Sequence, residues 1–140
     1  TTDQAEVLLG LGVSAIGTLP QGYAQNDKDL VGYAKALEAG QLPVVRGVAL
    51  TSADRLRRDV IQAVMCDFTV DLRKQAEAHG RPGFDFSGDL ARLEPLAAEG
   101  LVTLEGNRVT VTAEGRRAVR LIASCFDAYL GRGGRYSQAV

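Results

Sequence analysis

The sequence predicts a mostly helical α+β protein, in which a winged-helix-like domain follows the last strand of a sheet whose other strands lie outside the chain. Three observations support this prediction: an apolar run into a glycine-rich turn near the start, an apolar stripe at helical spacing from Leu56 to Phe68, and two short strand patterns around Gly106-Asn107. We divide the chain into a strand and its following loop, a helix and linker, a winged-helix-like domain and a tail, at residues 1–26, 27–50, 51–131 and 132–140.

Composition narrows the classes of function. The 140 residues carry a formal net charge of −1, which argues against a strongly nucleic-acid-binding surface or an anionic-membrane surface. No apolar run approaches the length of a membrane span, and no secretory signal is visible. Cys66 and Cys125 are interpreted as buried free thiols in a reducing, cytoplasmic compartment, with a disulfide between them as the alternative. With one histidine, a structural zinc site is not expected.

The apolar run over residues 6–17 is the first candidate strand. A strand this apolar needs partners on both edges and cover on both faces, and few residues precede it. We therefore predict that the chain is a fragment of a larger protein. Because an unpaired strand leaves backbone groups and an apolar face uncovered, we also predict that the fragment self-associates through it.

The glycine-rich turn within this run matches a loose dinucleotide fingerprint, Gly10-x-Gly12-x-x-Ala15. That fingerprint works by opening a helix whose N-terminus faces pyrophosphate, and Pro20 would disrupt a helix that began here. A dinucleotide site is thus disfavoured. Two interpretations remain: glycines that permit close strand packing, or a strand end that lines a ligand cleft with backbone and small side chains.

The elements of the first half follow from capping residues. Asn26 or Asp27 caps a helix to about Ala39, with Gly40 as its stop, and an extended piece covers residues 44–50. Thr51 or Ser52 caps the clearest helix of the chain. Its apolar stripe comprises Leu56, Val60, Ile61, Val64, Met65 and Phe68.

The second half alternates helices with one hairpin. A short helix over residues 72–78 stops at Gly80, and Ser87 caps a helix to Gly100 that Pro95 kinks or shortens. Residues 101–105 and 108–111 form the hairpin, and Thr112 caps a long last helix. That helix has the stripe Val119, Ile122, Ala123, Phe126 and Leu130, and a loosely held tail follows over residues 131–140.

A winged-helix order raises the alternative of a DNA-binding or protein-interaction module. The helix that would enter the groove carries Asp89, Arg92, Glu94 and Glu99, and three acids against one arginine repel phosphate. The hairpin offers Arg108 beside Glu105. DNA binding is therefore the minority interpretation, and we expect no nucleic-acid partner.

Several motifs in order resemble one enzyme family. They are Gly12-Val13-Ser14-Ala15-Ile16, Tyr23-Ala24-Gln25-Asn26, the stretch from Arg46-Gly47-Val48-Ala49-Leu50-Thr51 through Arg57-Arg58-Asp59-Val60-Ile61 to Met65-Cys66-Asp67-Phe68, and Arg135-Tyr136-Ser137-Gln138-Ala139-Val140. The chain resembles the C-terminal third of the oxygen-independent coproporphyrinogen III oxidases, which are radical S-adenosylmethionine enzymes of heme biosynthesis.

The resemblance implies that the strand closes a partial β/α barrel and that the helical domain covers the active site. The family enzyme binds a 4Fe-4S cluster through a CxxxCxxC motif, which this chain lacks, so the fragment alone is expected to be inactive and to bind no cofactor. In the whole enzyme, a radical formed from S-adenosylmethionine abstracts hydrogen from two propionates of coproporphyrinogen III. These propionates then lose carbon dioxide and become vinyl groups, giving protoporphyrinogen IX.

The resemblance also names site residues. Ile16 is implied as an S-adenosylmethionine contact at the C-terminal end of the strand, with Gly12, Ser14 and Ala15 beside it. The alternative for Ile16 is a plain core residue. Three arginines are candidate partners of the substrate carboxylates, or else hold the helical domain to the barrel or face solvent: Arg46, Arg57 and Arg58. Tyr23 and Gln25 line the cleft entrance or pack a loop.

Overall fold

The computed structural model describes residue 5 and residues 7–130, which fall into two compact units, 1–54 and 55–140. The α+β class is confirmed. Unit 1 contains β1 (Ile16–Leu19), β2 (Gly22–Asn26), α1 (Leu30–Glu38) and β3 (Val44–Ala49). Unit 2 contains most of α2 (Ser52–Asp67), then β4 (Thr69–Asp71), α3 (Leu72–Ala78), α4 (Ser87–Ala98), β5 (Val102–Glu105), β6 (Arg108–Val111), a 3₁₀ helix (Glu114–Ala118) and α5 (Val119–Ser124).

The first strand is not where the sequence predicts it. Within the described residues, β1 begins at Ile16, so this residue starts a strand and does not end one. β1 pairs antiparallel with β2, and β2 pairs antiparallel with β3, in the order β1-β2-β3. Leu8 joins as a single bridge opposite Thr18. The expectation of a strand without neighbours in the chain is therefore wrong.

A turn over residues 12–14 explains the difference. Gly12 has φ +96° and Ser14 has φ 57°, and these left-handed conformations reverse the chain. The apolar composition of residues 6–17 masks this turn, because valine and isoleucine on either side of it have high strand propensity. A Cβ on Gly17 would lie 2.9 Å from the Leu8 carbonyl oxygen, so close packing of the bridge requires glycine there.

The loop that the sequence analysis predicts after the first strand, within residues 1–26, is a β-hairpin instead. Pro20 and Gln21 connect β1 to β2, and proline suits the first corner of a tight turn because its φ is already fixed. The helix α1 is confirmed, with Gly40 at φ +68° after its end. Its cap is Asp29, whose carboxylate accepts the Gly32 N–H at 2.8 Å, and not the predicted Asn26 or Asp27.

The helix α2 and its cap are confirmed. Thr51 Oγ1 accepts the Asp54 N–H at 3.1 Å, and the Asp54 carboxylate accepts the Thr51 N–H at 2.9 Å, which is a reciprocal capping arrangement. Leu56, Val60 and Val64 are fully buried. Ile61, Met65 and Phe68 pack partly buried against the same core, so the stripe that the sequence predicts is the one that faces inward.

The sheet of unit 2 combines a predicted hairpin with a strand that the sequence did not reveal. β5 and β6 pair antiparallel around Gly106 and Asn107, as predicted, and α3 has the predicted bounds. β4 is three residues long and pairs with β6, giving the order β4-β6-β5. β4 directly follows Phe68, which has φ 58°. Three residues are too few to show the alternation of apolar and polar side chains by which a strand is recognised in a sequence.

Two helix ends in unit 2 differ from the predictions. Ser87 is the first residue of α4 and not its cap; its N–H is accepted by Asp85 at 2.8 Å, and this bond lowers the pKa of Asp85. α4 continues through Pro95. The predicted long last helix is a 3₁₀ turn followed by the six-residue α5, although Thr112 does accept the Gly115 N–H at 3.1 Å. The predicted tail over residues 131–140 lies outside the described residues.

The hydrophobic core of the described residues lies in unit 2. Its fully buried large side chains come from α2, α3, α4 and α5, from the sheet and from the segment after α5: Leu56, Val60, Val64, Leu72, Leu93, Val109, Ile122 and Phe126. Gly115 lets the 3₁₀ helix approach the hairpin, because a Cβ there would lie 1.9 Å from the Leu101 carbonyl oxygen. None of the described helices has the length and apolar character that a membrane span needs.

The two thiols are free and differ in exposure. Cys125 is buried, and burial raises its pKa, whereas Cys66 is half-buried. Since the thiolate is the reactive form, less of Cys125 is ionised at pH 8 than of an ordinary thiol. We therefore expect iodoacetamide to label Cys66 in the native protein several times faster than Cys125, as counted by peptide mass spectrometry. In denaturant the two rates should converge; a faster native reaction at Cys125 would contradict the packing described here.

Candidate functional site

One face of the unit 1 sheet gathers most of the residues that the sequence singles out. Ile16 is opposite Gln25, and Gln25 is opposite Arg46, so these three form one row across β1, β2 and β3. Cross-strand partners point to the same side of a sheet, as do residues two apart along a strand. We call this side the Ile16 face, made of Ile16, Thr18, Tyr23, Gln25, Arg46 and Val48.

The Ile16 face carries a small cavity of about 160 Å³, lined by Ile16, Tyr23, Gln25 and Arg46 among others. Ile16 is 56% exposed, which is unusual for an isoleucine in a sheet and does not fit a plain core residue in this chain. Arg46 is also exposed, and its guanidinium makes no hydrogen bond or ion pair with any part of the chain that the structure describes. The face therefore offers an apolar end and a cationic end.

The turn before Ile16 is held by a buried asparagine. Asn26 is 7% exposed, and its side-chain amide donates to the carbonyl oxygens of Gly10 at 2.9 Å and Gly12 at 3.0 Å. The Asn26 N–H donates to the Ala15 carbonyl at 2.9 Å. This places Gly12, Ser14 and Ala15 in a fixed turn beside Ile16, and no pattern in the sequence marks Asn26 as its anchor.

The opposite side of the sheet is apolar. Gly17 and Ala24 alternate with the Ile16 face, and a cavity of about 310 Å³ lies on this side among leucines. Leu9, Leu11 and Leu42 line it and are 72%, 88% and 84% exposed. Among the described residues of unit 1, the buried positions are Gly17, Gly22, Asn26 and Pro43, so this unit has no apolar core of its own.

Arg57 lies in unit 2 and is engaged there. Its guanidinium donates to Asp89 Oδ1 at 2.8 Å and to the Phe126 carbonyl at 2.9 Å, and it stacks 5.3 Å from the Phe84 ring centre. Arg92 donates to the same Asp89 oxygen. Because Asp89 is 2% exposed, these bonds hold α2, α4 and the end of α5 together. These contacts give Arg57 a packing role inside unit 2, which is neither the substrate contact nor one of the alternatives that the sequence analysis gave for it.

Arg58 belongs to a separate polar chain on unit 2. Its Nε donates to Asp59 Oδ1 at 3.0 Å, while His79 Nε2 lies 3.0 Å from Asp59 Oδ2. These polar contacts link α2 to the end of α3. The structure therefore brings Arg46 to the Ile16 face and places Arg57 and Arg58 in unit 2.

The helix that would enter a DNA groove offers little to phosphate. In α4, Asp89 is buried between two arginines and Arg92 is already paired with it, which leaves Glu94 and Glu99 exposed. The sequence contains a signal for the burial of Asp89 that our sequence analysis does not use. Asp89 lies four residues before Leu93 and seven before Leu96, on the apolar stripe of its own helix. A charged residue at such a position indicates a buried ion pair.

A second polar cavity, about 490 Å³, lies beside β4 and is lined by Asp67, Asp71, Lys74 and Arg108. Asp71 caps α3, and the hydrogen bond from the Lys74 N–H lowers its pKa. The charges here are mixed and mutually compensating. Within the described part of the chain, no three His, Cys, Asp or Glu side chains are grouped so that they could hold a metal ion.

Comparison with known proteins gives a consistent result. Residues 50–118 match the family model described as the HemN C-terminal domain. An oxygen-independent coproporphyrinogen III oxidase of Bradyrhizobium diazoefficiens is 45% identical over 141 residues, covering 100% of this chain and 31% of the relative. The enzyme of that name from Escherichia coli K12 is 41% identical over 141 residues, covering 99% of this chain and 30% of the relative.

A solved structure agrees with the sequence relatives. It is described as coproporphyrinogen III oxidase (HemN) from Escherichia coli, a radical SAM enzyme, and it matches with a TM-score of 0.81 and 39% identity. The match covers 92% of this chain and 30% of that one. The chain therefore spans about a third of the length of the curated relatives that it matches.

Proposed function

Because residues 50–118 match the family model of the HemN C-terminal domain, we propose that the chain belongs to this family and is the C-terminal part of an oxygen-independent coproporphyrinogen III oxidase. That enzyme would convert two propionates of coproporphyrinogen III to vinyl groups in heme biosynthesis, in the cytoplasm. The observation that carries the proposal is the match over the whole chain, at 45% identity, to an enzyme of this name. The order of the motifs that the sequence shares with the family supports the same conclusion.

We propose that unit 1 completes the barrel of the enzyme. Support comes from its exposed apolar residues, which need cover: Val7, Leu8, Leu9, Leu11, Val13, Ile16, Leu30, Val31, Leu37, Leu42, Val44, Val45 and Val48. Exposed apolar residues in this number indicate an interface. The relatives extend well beyond the segment that this chain matches, so we propose the rest of the enzyme as the partner. The three-stranded antiparallel sheet in this chain would be an addition to the barrel edge.

We propose that unit 2 is a winged-helix-like cover over the active site. The order α2, β4, α3, α4, β5, β6 and the sheet order β4-β6-β5 support the winged-helix description. The charged residues of α4 are either paired in ion pairs or acidic, so they would not bind DNA phosphates. We therefore assign unit 2 to covering the active site and not to binding DNA.

The cofactors of the family fit this chain unequally. The described residues contain no group of three or more His, Cys, Asp or Glu side chains that could ligate an iron–sulfur cluster, so we assign the cluster to another part of the enzyme. S-adenosylmethionine would supply the radical, and Ile16 suits one edge of its site, because an exposed apolar side chain beside a cavity can pack on an adenine ring. Gly12, Ser14 and Ala15 would keep the backbone close to the ligand there.

Complementation tests the proposed function. A chimera would carry this chain in place of the matching C-terminal 31% of the Bradyrhizobium relative. We expect it to restore anaerobic growth to a bacterial strain that lacks coproporphyrinogen III oxidase, whereas the relative without that segment should not. A chimera that is soluble and retains its cluster absorbance but fails to restore growth would contradict the proposal.

Self-association of the isolated chain is a related prediction. The apolar surface of unit 1 is uncovered without the rest of the enzyme, so we expect dimers or larger species by size-exclusion chromatography with light scattering. Changing Leu9, Leu11 and Leu42 to serine should shift the mass toward the monomer. Leu121→Ser, at a 55% exposed leucine of unit 2, is the matched control. A monomeric unmodified chain would show that this surface needs no partner.

A further inference from the structure

We propose that Arg46 anchors a carboxylate of the substrate that is retained through the reaction, not one that is lost. The inference rests on the proposed function and makes its substrate contacts specific. Arg46 is the exposed cation of the Ile16 face, and it has no partner among the described residues. Arg57 and Arg58, in contrast, are both engaged in ion pairs within unit 2.

Geometry connects Arg46 to the proposed cofactor edge. Ile16, Gln25 and Arg46 form one row, and neighbouring strands lie about 4.8 Å apart, so the backbones of Ile16 and Arg46 are roughly 10 Å apart. One small cavity touches both side chains. A ligand carboxylate held by Arg46 would therefore bring its parent molecule next to whatever packs on Ile16.

The surroundings suit an anion. The Gln25 side-chain amide is oriented by its bond to the Ser14 carbonyl at 3.3 Å, and Tyr23 adds a hydroxyl donor from the adjacent row. Among the described residues, none that lines this cavity is acidic. The guanidinium presents planar, bidentate donors, which match a carboxylate better than any other side chain does.

The chemistry decides which carboxylate it is. Coproporphyrinogen III has four propionates and the product keeps two. A carboxylate that leaves as carbon dioxide gives up its charge, so an arginine bound to it would stabilise the ground state more than the transition state and slow the step. An arginine bound to a retained propionate interacts equally before and during the reaction. Arg46 is thus a binding residue whose loss should raise KM and leave kcat nearly unchanged.

The test uses the chimera with Arg46→Gln, Arg46→Lys and Arg120→Gln. Arg120 is an exposed arginine on α5 and serves as the matched control. We expect Arg46→Gln to raise KM for coproporphyrinogen III roughly tenfold to a hundredfold, as for loss of a charged hydrogen bond. kcat should change less than about threefold, Arg46→Lys should recover part of the affinity, and Arg120→Gln should match the parent.

A binding measurement separates this inference from the proposed function. Quenching of coproporphyrin III fluorescence reports binding without turnover, and its tetramethyl ester lacks the charges. We expect Arg46→Gln to weaken coproporphyrin III binding and leave ester binding unchanged. An active chimera whose KM and porphyrin affinity do not respond to Arg46→Gln would overturn the inference alone, as would a fall in kcat at constant KM. An inactive parent chimera would overturn the proposed function itself.

Discussion

Replacing Asp89 with alanine should lower the free energy of unfolding of unit 2 by about 3–5 kcal/mol, the usual cost of breaking a buried ion pair from one side. Asp89 is 2% exposed and accepts from Arg57 and Arg92. Without it, the 18% exposed Arg57 side chain keeps the Phe126 carbonyl but loses its counter-charge. The measurement is urea unfolding of the chain followed by far-UV circular dichroism.

Glu94→Ala provides the control for this substitution, since Glu94 is an exposed acid on the same helix. Its effect should stay within about 0.5 kcal/mol. Asp89→Asn keeps an acceptor oxygen without the charge and should fall between the two. If Asp89→Ala unfolded within about 1 kcal/mol of the parent, the buried pair would not be the clamp inferred here.

Replacing Asn26 with alanine should open the turn over residues 10–15. The change removes both side-chain donations, to Gly10 and Gly12, and leaves partly buried carbonyls without them. At roughly 1–3 kcal/mol for each of the two carbonyls left unpaired, local opening should become about 2–6 kcal/mol easier. Hydrogen exchange at the Ser14 and Asn26 amides, which donate to Asp27 and Ala15, reports that opening directly.

Asn107→Ala is the matched control, because Asn107 lies in the hairpin turn of unit 2 and should leave exchange in the turn of unit 1 unchanged. Asn26→Asp tests the donor itself: it keeps the size of the side chain but replaces the amide donors with a carboxylate that would face two carbonyls. Protection of Ser14 that survives Asn26→Ala would refute the anchoring role.

Local signals predicted the fold of unit 2 well. Each of three signals depends only on residues close together in sequence: the Thr51 cap, the apolar stripe on α2 and the Gly106-Asn107 turn. The sequence alone therefore predicts the helix α2 and the β5–β6 hairpin. β4 could not, because it exists only through its pairing with β6, nearly forty residues away in sequence. The split of the last helix into a 3₁₀ turn and α5 likewise depends on packing around Gly115.

The turn in unit 1 is hidden in the sequence for a related reason. An apolar stretch with glycines fits a buried strand, and only the positive φ angles at Gly12 and Ser14 show that it turns. The sequence proposes Ile16, Arg46, Tyr23 and Gln25 separately as candidates, and only the strand register shows that they share one face. Asn26 was missed, since a polar residue at a strand end looks like a cap until its bonds are seen.

The most direct test of the account is the product formed by the chimera that carries this chain. Anaerobic incubation with coproporphyrinogen III, S-adenosylmethionine, a low-potential reductant for the cluster and an electron acceptor, followed by mass spectrometry, should show a tetrapyrrole that has lost two carboxyl groups and retains two. The Bradyrhizobium enzyme lacking its C-terminal segment should give none. A chimera that is folded and cluster-bound, yet leaves all four carboxyl groups in place, would contradict the claim that this chain is the C-terminal part of such an oxidase.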